Sequence, residues 1–591
     1  MKKKLYSLLL IPTLLLSACS FFTRGEETYN TYEKEIGVYN IDTLNEEKEL
    51  SSGFQKTVKA RFIENESLIP YLSLSQYASL YEPHFASNVK SEVSSGFFSD
   101  LWTVYAGEQI CFAAQINYLF GEIVVAGSLQ LAYKENDDPR DLKALNYGLK
   151  YDTDGKFLSD TTYSTFYFDD YDIKHFTYEN NVYYPLGLLD TTFIDNSGYY
   201  FTYNYAHIFS TVDVDSYSTV EFKDGEQFFT FDSQMEKVAN EYTLPSYLIN
   251  YNSGLFLYMM DNFYGLRKQK NIQSFASYYK KQGLYSNLFS KNSTTRGLAF
   301  SDACSILDDN HTLFISANKS WGEDQFGLIR RYGDGCITRS KTKSALQDYR
   351  NSATGDKKAK VDPVYSQDGK TAVVAFDSFE FGSSEEVFNE DNSIKETAKE
   401  HDTFFRLISA FNEIKNKGTV QNIVLDISLN GGGVLGIMLK LLALISKDNS
   451  SQIVMYQEPT TQVSIYVPRV DINNDGKYDL EDCFGDDFNI YILTSDCSFS
   501  CGNAFPCAAQ LHGDAKIIGQ KSGGGECIVS VHYLPNSEYV YHSGNIHIGA
   551  LDKEGKKFIG FENGATPDIE IEVGPNFYSV EYLNTLIQNS R

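Results

Sequence analysis

The stretch Ile492-Leu493-Thr494-Ser495-Asp496-Cys497-Ser498-Phe499-Ser500-Cys501-Gly502-Asn503 decides the fold of the C-terminal half. A strand-like run ends, small polar residues make a tight turn, and an apolar helix begins that is expected to reach His512. A serine at such a joint lies by a helix N-terminus, whose partial positive charge favours an alkoxide or tetrahedral anion. The same serine acting only as a helix cap would be unreactive, so the local pattern leaves both readings open. Pro506 unsettles the helix start, because proline is comfortable only within a first turn.

The flanking sequence has the same alternating texture. Thr371–Phe376 reads as a buried strand, and Phe404, Leu407, Ile408, Phe411 and Ile414 mark one face of a helix ending at Gly418. Ile423–Ile427 is the next strand. It runs through Asp426-Ile427-Ser428-Leu429-Asn430 into Gly431-Gly432-Gly433, followed by an apolar helix from Val434 to Ile445. Glycines let backbone N–H groups turn towards an anion or a developing oxyanion. No Gly-Lys-Ser/Thr follows, which disfavours a nucleotide-binding loop. Strand and helix in alternation predict an α/β domain over residues 361–591.

Residues 246–360 are expected to be helical and β in part, with helices from Ser253 to about Tyr264 and over Ile272–Lys281. They carry Leu307-Asp308-Asp309-Asn310-His311-Thr312-Leu313, in which an acidic, polar run leads His311 into an apolar strand. Histidine is the usual base for a nucleophile at neutral pH, although a lone one is more often structural.

Residues 58–245 alternate short Tyr/Phe/Val runs with turn signals and read as a β-rich accessory domain. Asp224-Gly225 marks a hairpin between Val220 and Phe228, and Asp154-Gly155 a second one. Residues 19–57 begin polar and acidic and read as a tether. Ahead of them, Lys2–Lys4, the apolar run Leu5–Leu16 and Leu16-Ser17-Ala18-Cys19 resemble a bacterial lipoprotein signal over residues 1–18. That resemblance implies acylation of Cys19 and an extracytoplasmic lipid anchor in the bacterial cell envelope, at an outer membrane or a cell surface.

The 591 residues exceed what one hydrophobic core usually holds, and 43 Tyr with 41 Phe favour strands. The net charge of -27, or -30 once Lys2, Lys3 and Lys4 leave with the leader, argues against a nucleic-acid partner. Eight cysteines follow Cys19, five of them between 483 and 527. Local disulfides and buried free thiols are equal readings.

Together, the Ser500 turn, the glycine loop and the His311 segment resemble the tail-specific, or C-terminal processing, serine peptidases over roughly residues 246–591. The resemblance implies a multidomain chain, in which a β-rich N-terminal domain precedes an α/β, ClpP/crotonase-like peptidase domain. It makes Ser500 the nucleophile, with Gly431, Gly432 and the Cys501 N–H forming the oxyanion hole. The best-known branch uses a lysine 25 residues beyond the nucleophile, where this chain has Gly525; Lys521 lies four positions short. Asp309-Asn310-His311-Thr312 and Glu562-Asn563-Gly564-Ala565-Thr566-Pro567-Asp568 instead resemble the tricorn-like branch, which implies His311 as base and Glu562 as its orienting group. Asn310 stands where that branch has serine; it can hydrogen-bond but cannot shuttle a proton. Ser428 replaces the family's common arginine. About 60 residues between His311 and Thr371 are fewer than the ~80–100 of a PDZ module, so substrate capture is expected elsewhere.

Asp471-Ile472-Asn473-Asn474-Asp475-Gly476-Lys477-Tyr478-Asp479-Leu480-Glu481-Asp482 matches a twelve-position EF-hand-type calcium loop. Oxygen donors fall at Asp471, Asn473, Asp475, Asp479 and Asp482, with the Lys477 carbonyl at position seven. Asp482 in place of glutamate resembles dockerin loops. A structural Ca2+ is expected, and no organic cofactor. The function expected is a lipid-anchored extracytoplasmic serine endopeptidase hydrolysing exported polypeptides. The alternative is an inactive peptidase-like lipoprotein that binds peptide or glycan. Substrate preference and oligomeric state are not legible.

Overall fold

The computed structural model describes residues 29–590 except 97, 135–140, 160–162, 213–220, 226, 231–243, 317–332, 459 and 536–537. The leader and Cys19 lie outside the described residues, and no helix among those described is long and apolar enough to cross a membrane.

The C-terminal architecture follows from the buried strands. Thr371–Ala375, Asn422–Asp426, Asn489–Thr494, Ala515–Gly519 and Ile569–Glu570 lie side by side, all parallel, in chain order. Asn422–Asp426 is buried throughout, as a parallel strand covered on both faces must be. Its side chains alternate between two layers. Ile423 and Leu425 pack with the helices Thr403–Lys417, Leu435–Leu444 and Cys501–His512. Val424 packs on the opposite face with Leu346 of helix Asp334–Thr354 and with Leu583 and Ile587 of Val580–Asn589. The register aligns Asp426 with Leu493, so the glycine loop and the Ser500 turn leave adjacent strands at the same carboxyl edge. Crevices outside such edges are where open α/β sheets bind ligands.

An antiparallel sheet flanks this core. Its long strand Glu538–Leu551 pairs with Leu313–Ser316, Cys527–Leu534, Ile453–Gln457 and Phe558–Gly560, and Gln462–Val470 continues it outward to Leu149–Phe157. The N-terminal region is β-rich as expected, with a seven-stranded sheet and a five-stranded meander around aromatics such as Tyr77, Tyr81, Trp102 and Phe193.

Several expectations are corrected. The tether does not extend to 57: Thr31–Asn40 is a central strand, paired with Phe54–Ile63 and Ile208–Thr211, and its alternate residues Ile36 and Val38 are buried. Asp154-Gly155 is no hairpin turn; it lies mid-strand, opposite Ile465 and Ser464. This strand carries a piece of the 58–245 region into the peptidase side. Nor is 245/246 a core boundary. Helix Ser246–Phe263 starts after Pro245 and is buried on all sides from Tyr251 to Asp261, sharing one core with the N-terminal aromatics and with Val540. Ser253 sits inside that helix, its hydroxyl donating to the Leu288 carbonyl at 2.7 Å, and caps nothing. The Asp224-Gly225 hairpin is present, with Gly225 at φ +60. The eight cysteines after Cys19 are free thiols, so the bridge reading fails.

Candidate active site

Ser500 occupies the joint between the strand Asn489–Thr494 and the helix Cys501–His512, at φ 57 and ψ -124. A non-glycine residue there is strained by roughly 1–3 kcal/mol and persists only where its surroundings over-determine it. They do so here. The Ser500 N–H donates to the Gly524 carbonyl at 3.0 Å, and its own carbonyl accepts from Asn503 and Ala504. The neighbours Cys497, Ser498, Phe499 and Cys501 are buried, whereas Ser500 is half-exposed. Its hydroxyl makes no capping bond to the helix. The unreactive-cap reading therefore fails at its defining contact.

The glycine loop lies directly against this turn. A Cβ added to Gly432 would stand 2.7 Å from Ser500 Cβ and 3.1 Å from its Oγ, and Gly432 has φ +114. The oxyanion assignment needs one correction. The Gly432 N–H already donates to the Asn430 side chain at 2.9 Å, because Asn430 is buried and folds back over the loop. Among the described residues, the Gly431 and Cys501 N–H groups have no such acceptor, and Cys501 is the first residue of its helix, where N–H groups are left free. The Cys501 thiol donates to the Gly433 carbonyl at 3.2 Å, and burial pushes it up to about 12, so it is an inert packing group.

Gly525 explains the missing lysine. It has φ +87, and an added Cβ would lie 2.6 Å from the Phe499 ring and 3.0 Å from the Ser500 nitrogen. No side chain fits there, and Lys521 is exposed.

His311 arrives from the flanking sheet, two residues before strand Leu313–Ser316. Asp309 shapes its turn, accepting from the His311 N–H at 3.1 Å and the Thr312 hydroxyl at 2.6 Å. The imidazole packs on Phe499, the residue before Ser500, with ring centroids 4.7 Å apart. Burial first, and then the Arg339 charge, hold the imidazole below its ordinary value against the pull of Asp309. It is therefore neutral at neutral pH, the state a general base requires. Its Nδ1 is buried without a partner.

Glu562 serves the other side of the turn. Its Oε2 accepts from the Gly525 and Glu526 N–H groups at 3.0 and 2.9 Å. It thus clamps the loop whose Gly524 carbonyl holds Ser500. Burial, with the nearby Glu526 and Asp309, raises its carboxyl. Among the described residues no hydrogen bond joins His311 to Ser500 or to Glu562, and Asn310 is exposed. The structure brings Ser500, Gly432 and Gly525 into contact and His311 against the adjacent ring; it leaves Asn310 outside.

Three groups escaped the sequence reading. Arg339 stands over the Phe499 ring at 4.8 Å and donates to the Gly523 carbonyl at 3.0 Å. Arg350, from the same helix, donates through Nη1 to both Asp377 oxygens at 2.7 and 2.8 Å and through Nη2 to Asp426 at 3.2 Å. Asp426 in turn holds the Ser428 hydroxyl at 2.6 Å, so a buried arginine from a distant helix stands beneath the glycine loop, whose own motif has Ser428 in place of arginine. The third is His547, paired with Glu526 at 2.9 Å and beside the Cys527 thiol at 3.5 Å. Burial opposes its charge, but Cys527, Glu458 and Glu526 outweigh that and lift it to about 12. Only the Asp334–Thr354 register, with its basic residues among polar ones, could have hinted at the arginines.

Residues 370–571 match the family model of peptidase family S41, and this stretch is an S41 peptidase domain placed after a β-rich N-terminal region. Among solved structures, the chain is similar to a candidate peptidase from Parabacteroides merdae, at 15% identity over 53% of this chain and 86% of that one, with a TM-score of 0.34. It is also similar to a lipoprotein from Streptococcus agalactiae, at 13% over 58% and 99%, TM-score 0.31. A third is mature CPAF complexed with lactacystin, at 11% over 58% and 97%, TM-score 0.37. No curated protein matches the chain.

Proposed function

We propose that the protein is a serine endopeptidase that hydrolyses exported polypeptides through an acyl-enzyme on Ser500. The observation that carries this reading is Ser500 itself: strained, half-exposed, uncapped, at a helix N-terminus and pressed against Gly432. In the proposed reaction neutral His311 takes the Ser500 proton as Oγ attacks the scissile carbonyl. The Gly431 and Cys501 N–H groups meet the developing oxyanion, and the helix N-terminus adds its partial charge. The imidazolium then protonates the leaving amine, and a water activated by the same histidine releases the acyl group. Glu562 holds the Gly525 and Glu526 N–H groups and so the loop behind Ser500; an orienting effect on His311 would act through that loop and its charge rather than through a direct hydrogen bond. Export and anchoring through Cys19 complete the reading, motivated by the leader sequence.

A second reading, a peptidase-like protein that binds peptide or glycan without cleaving it, is favoured by the missing His311–Ser500 hydrogen bond. Fluorophosphonate labelling separates the two. Labelling of the wild type that disappears in Ser500→Ala and falls strongly in His311→Ala supports the peptidase. No labelling above the Ser500→Ala background supports the binder.

A further inference from the structure

We infer that the loop Asp471–Asp482 is a calcium site that fastens a strand of the N-terminal region to the peptidase domain. The twelve-position pattern is laid out in space as a cation loop. Gly476 takes φ +80 with nothing near its missing Cβ, and Asn474 takes φ 58, so the chain doubles back between the donor residues. Gly476 N–H donates to Asp471 Oδ2 at 3.0 Å, Asp475 N–H to Asn473 Oδ1 at 2.9 Å, and Lys477 N–H to Asp475 Oδ1 at 2.8 Å. Asp482 closes the loop from its far end, accepting from the Ile472 and Asp479 N–H groups at 2.9 and 3.2 Å.

The independent observation is at Asp471. The residue is 6% exposed, one carboxylate oxygen faces Gly476, and the other, Oδ1, is buried with no hydrogen-bond partner. Asp482 is 0% exposed. Among the described residues neither carboxylate has an ion-pair partner; the one cation within the loop, Lys477, reaches Asp475 at the surface. Two buried carboxylates on one short loop, one of them with an unpartnered oxygen, are unfavourable alone. A hard divalent cation with a flexible, oxygen-only shell of six to eight donors resolves that, and carboxylates that already accept one hydrogen bond keep lone pairs for it. Mg2+ demands a tighter octahedron and keeps its waters.

The position of the loop gives the ion its work. Asp471 follows strand Gln462–Val470, whose outer partner is Leu149–Phe157. Its N–H donates to the Gly148 carbonyl at 3.0 Å, and the Tyr147 hydroxyl donates to Asn474 Oδ1 at 2.7 Å. On the other side, Asn449 donates to the Tyr478 carbonyl at 3.0 Å. Ordering the loop therefore orders the seam between the two regions, independently of whether Ser500 is reactive.

The test uses the full-length protein stripped with chelator. Titrated Ca2+ should bind one ion per chain and raise the thermal midpoint. It should also slow hydrogen exchange over residues 143–157, and Tb3+ in its place should show tyrosine-sensitised emission that Ca2+ competes away. Asp471→Asn tests the buried donor. Asp475→Ala, exposed and so safe for folding, should weaken binding by about tenfold or more. No bound Ca2+ at about 5 mM, above the weak end for such loops, would overturn the assignment. So would equal stabilisation by Mg2+, or a calcium response that Asp475→Ala leaves intact.

Discussion

Ser500 is held from the backbone outward, whereas His311 is held by packing. Around Ser500 the Gly524 carbonyl, the first turn of a helix and a glycine loop all converge within van der Waals distance. His311 has one aromatic neighbour, an Asp309 turn and an orphaned Nδ1. The difference teaches that a serine at the end of a parallel strand inherits its position from the sheet. A histidine delivered from a second sheet depends on the seam between them.

The sharpest way to break this comparison is at Ser500. Ser500→Ala should lower peptide hydrolysis by about 10,000-fold or more with the thermal midpoint unchanged, measured on an unstructured polypeptide. His311→Ala should cost about 100- to 1,000-fold, the share of a positioned base. If activity in the parent chain falls as pH drops below the ordinary histidine value and this limb vanishes in His311→Ala, the neutral imidazole is the working form.

Arg350→Met probes the support rather than the chemistry. It leaves Asp426 buried and unpaired and should destabilise by about 3–5 kcal/mol in denaturant unfolding, with activity lost through the loosened glycine loop. Glu562→Gln keeps an acceptor for Gly525 and Glu526 but removes the charge. A kcat lower by about tenfold, less than for a group that itself moves the proton, would mark an orienting role; an unchanged kcat would reduce Glu562 to a backbone clamp.

The smallest effect concerns the seam. His532 and His542 form a buried pair, Nδ1 to Nε2 at 2.8 Å, and burial holds His532 well down and His542 at about 4. Their folded values lie below the unfolded value of 6.5, so in that window the unfolded chain binds more protons. Stability is therefore present above the unfolded value and is lost as pH falls from it towards about 4. A thermal midpoint lower by a few degrees at pH 5 than at pH 7, and flattened by a His532→Gln/His542→Gln pair, would check this.

The peptidase core was legible because its signals are local. Val424 and Leu425 face opposite layers by the period of a strand, Gly418 and Gly513 end their helices with positive φ, and the Ser500 turn sits between strand and helix as read. The N-terminal strand Thr31–Asn40 was missed because its polar first half, Thr31 to Glu35, looks like a tether and is exposed even in the sheet. Leu149–Phe157 was missed because its nine residues are largely exposed and its Asp-Gly pair imitates a turn.

By itself, the sequence determined the alternation of strand and helix in the peptidase core, the glycine loop, the strand-to-helix turn at Ser500, the absence of a lysine at 525 and the spacing of oxygen-bearing residues in the Asp471–Asp482 loop. All of these rest on contacts within a few residues or on side-chain periodicity. Only the tertiary structure decided that Asn430 occupies the Gly432 N–H, that Arg350 and Arg339 stand beside the site, that the thiols stay unpaired, and that Asp471 keeps a buried lone pair. Those outcomes depend on which distant surfaces meet when buried area is shared out among sheets, and no local pattern encodes that.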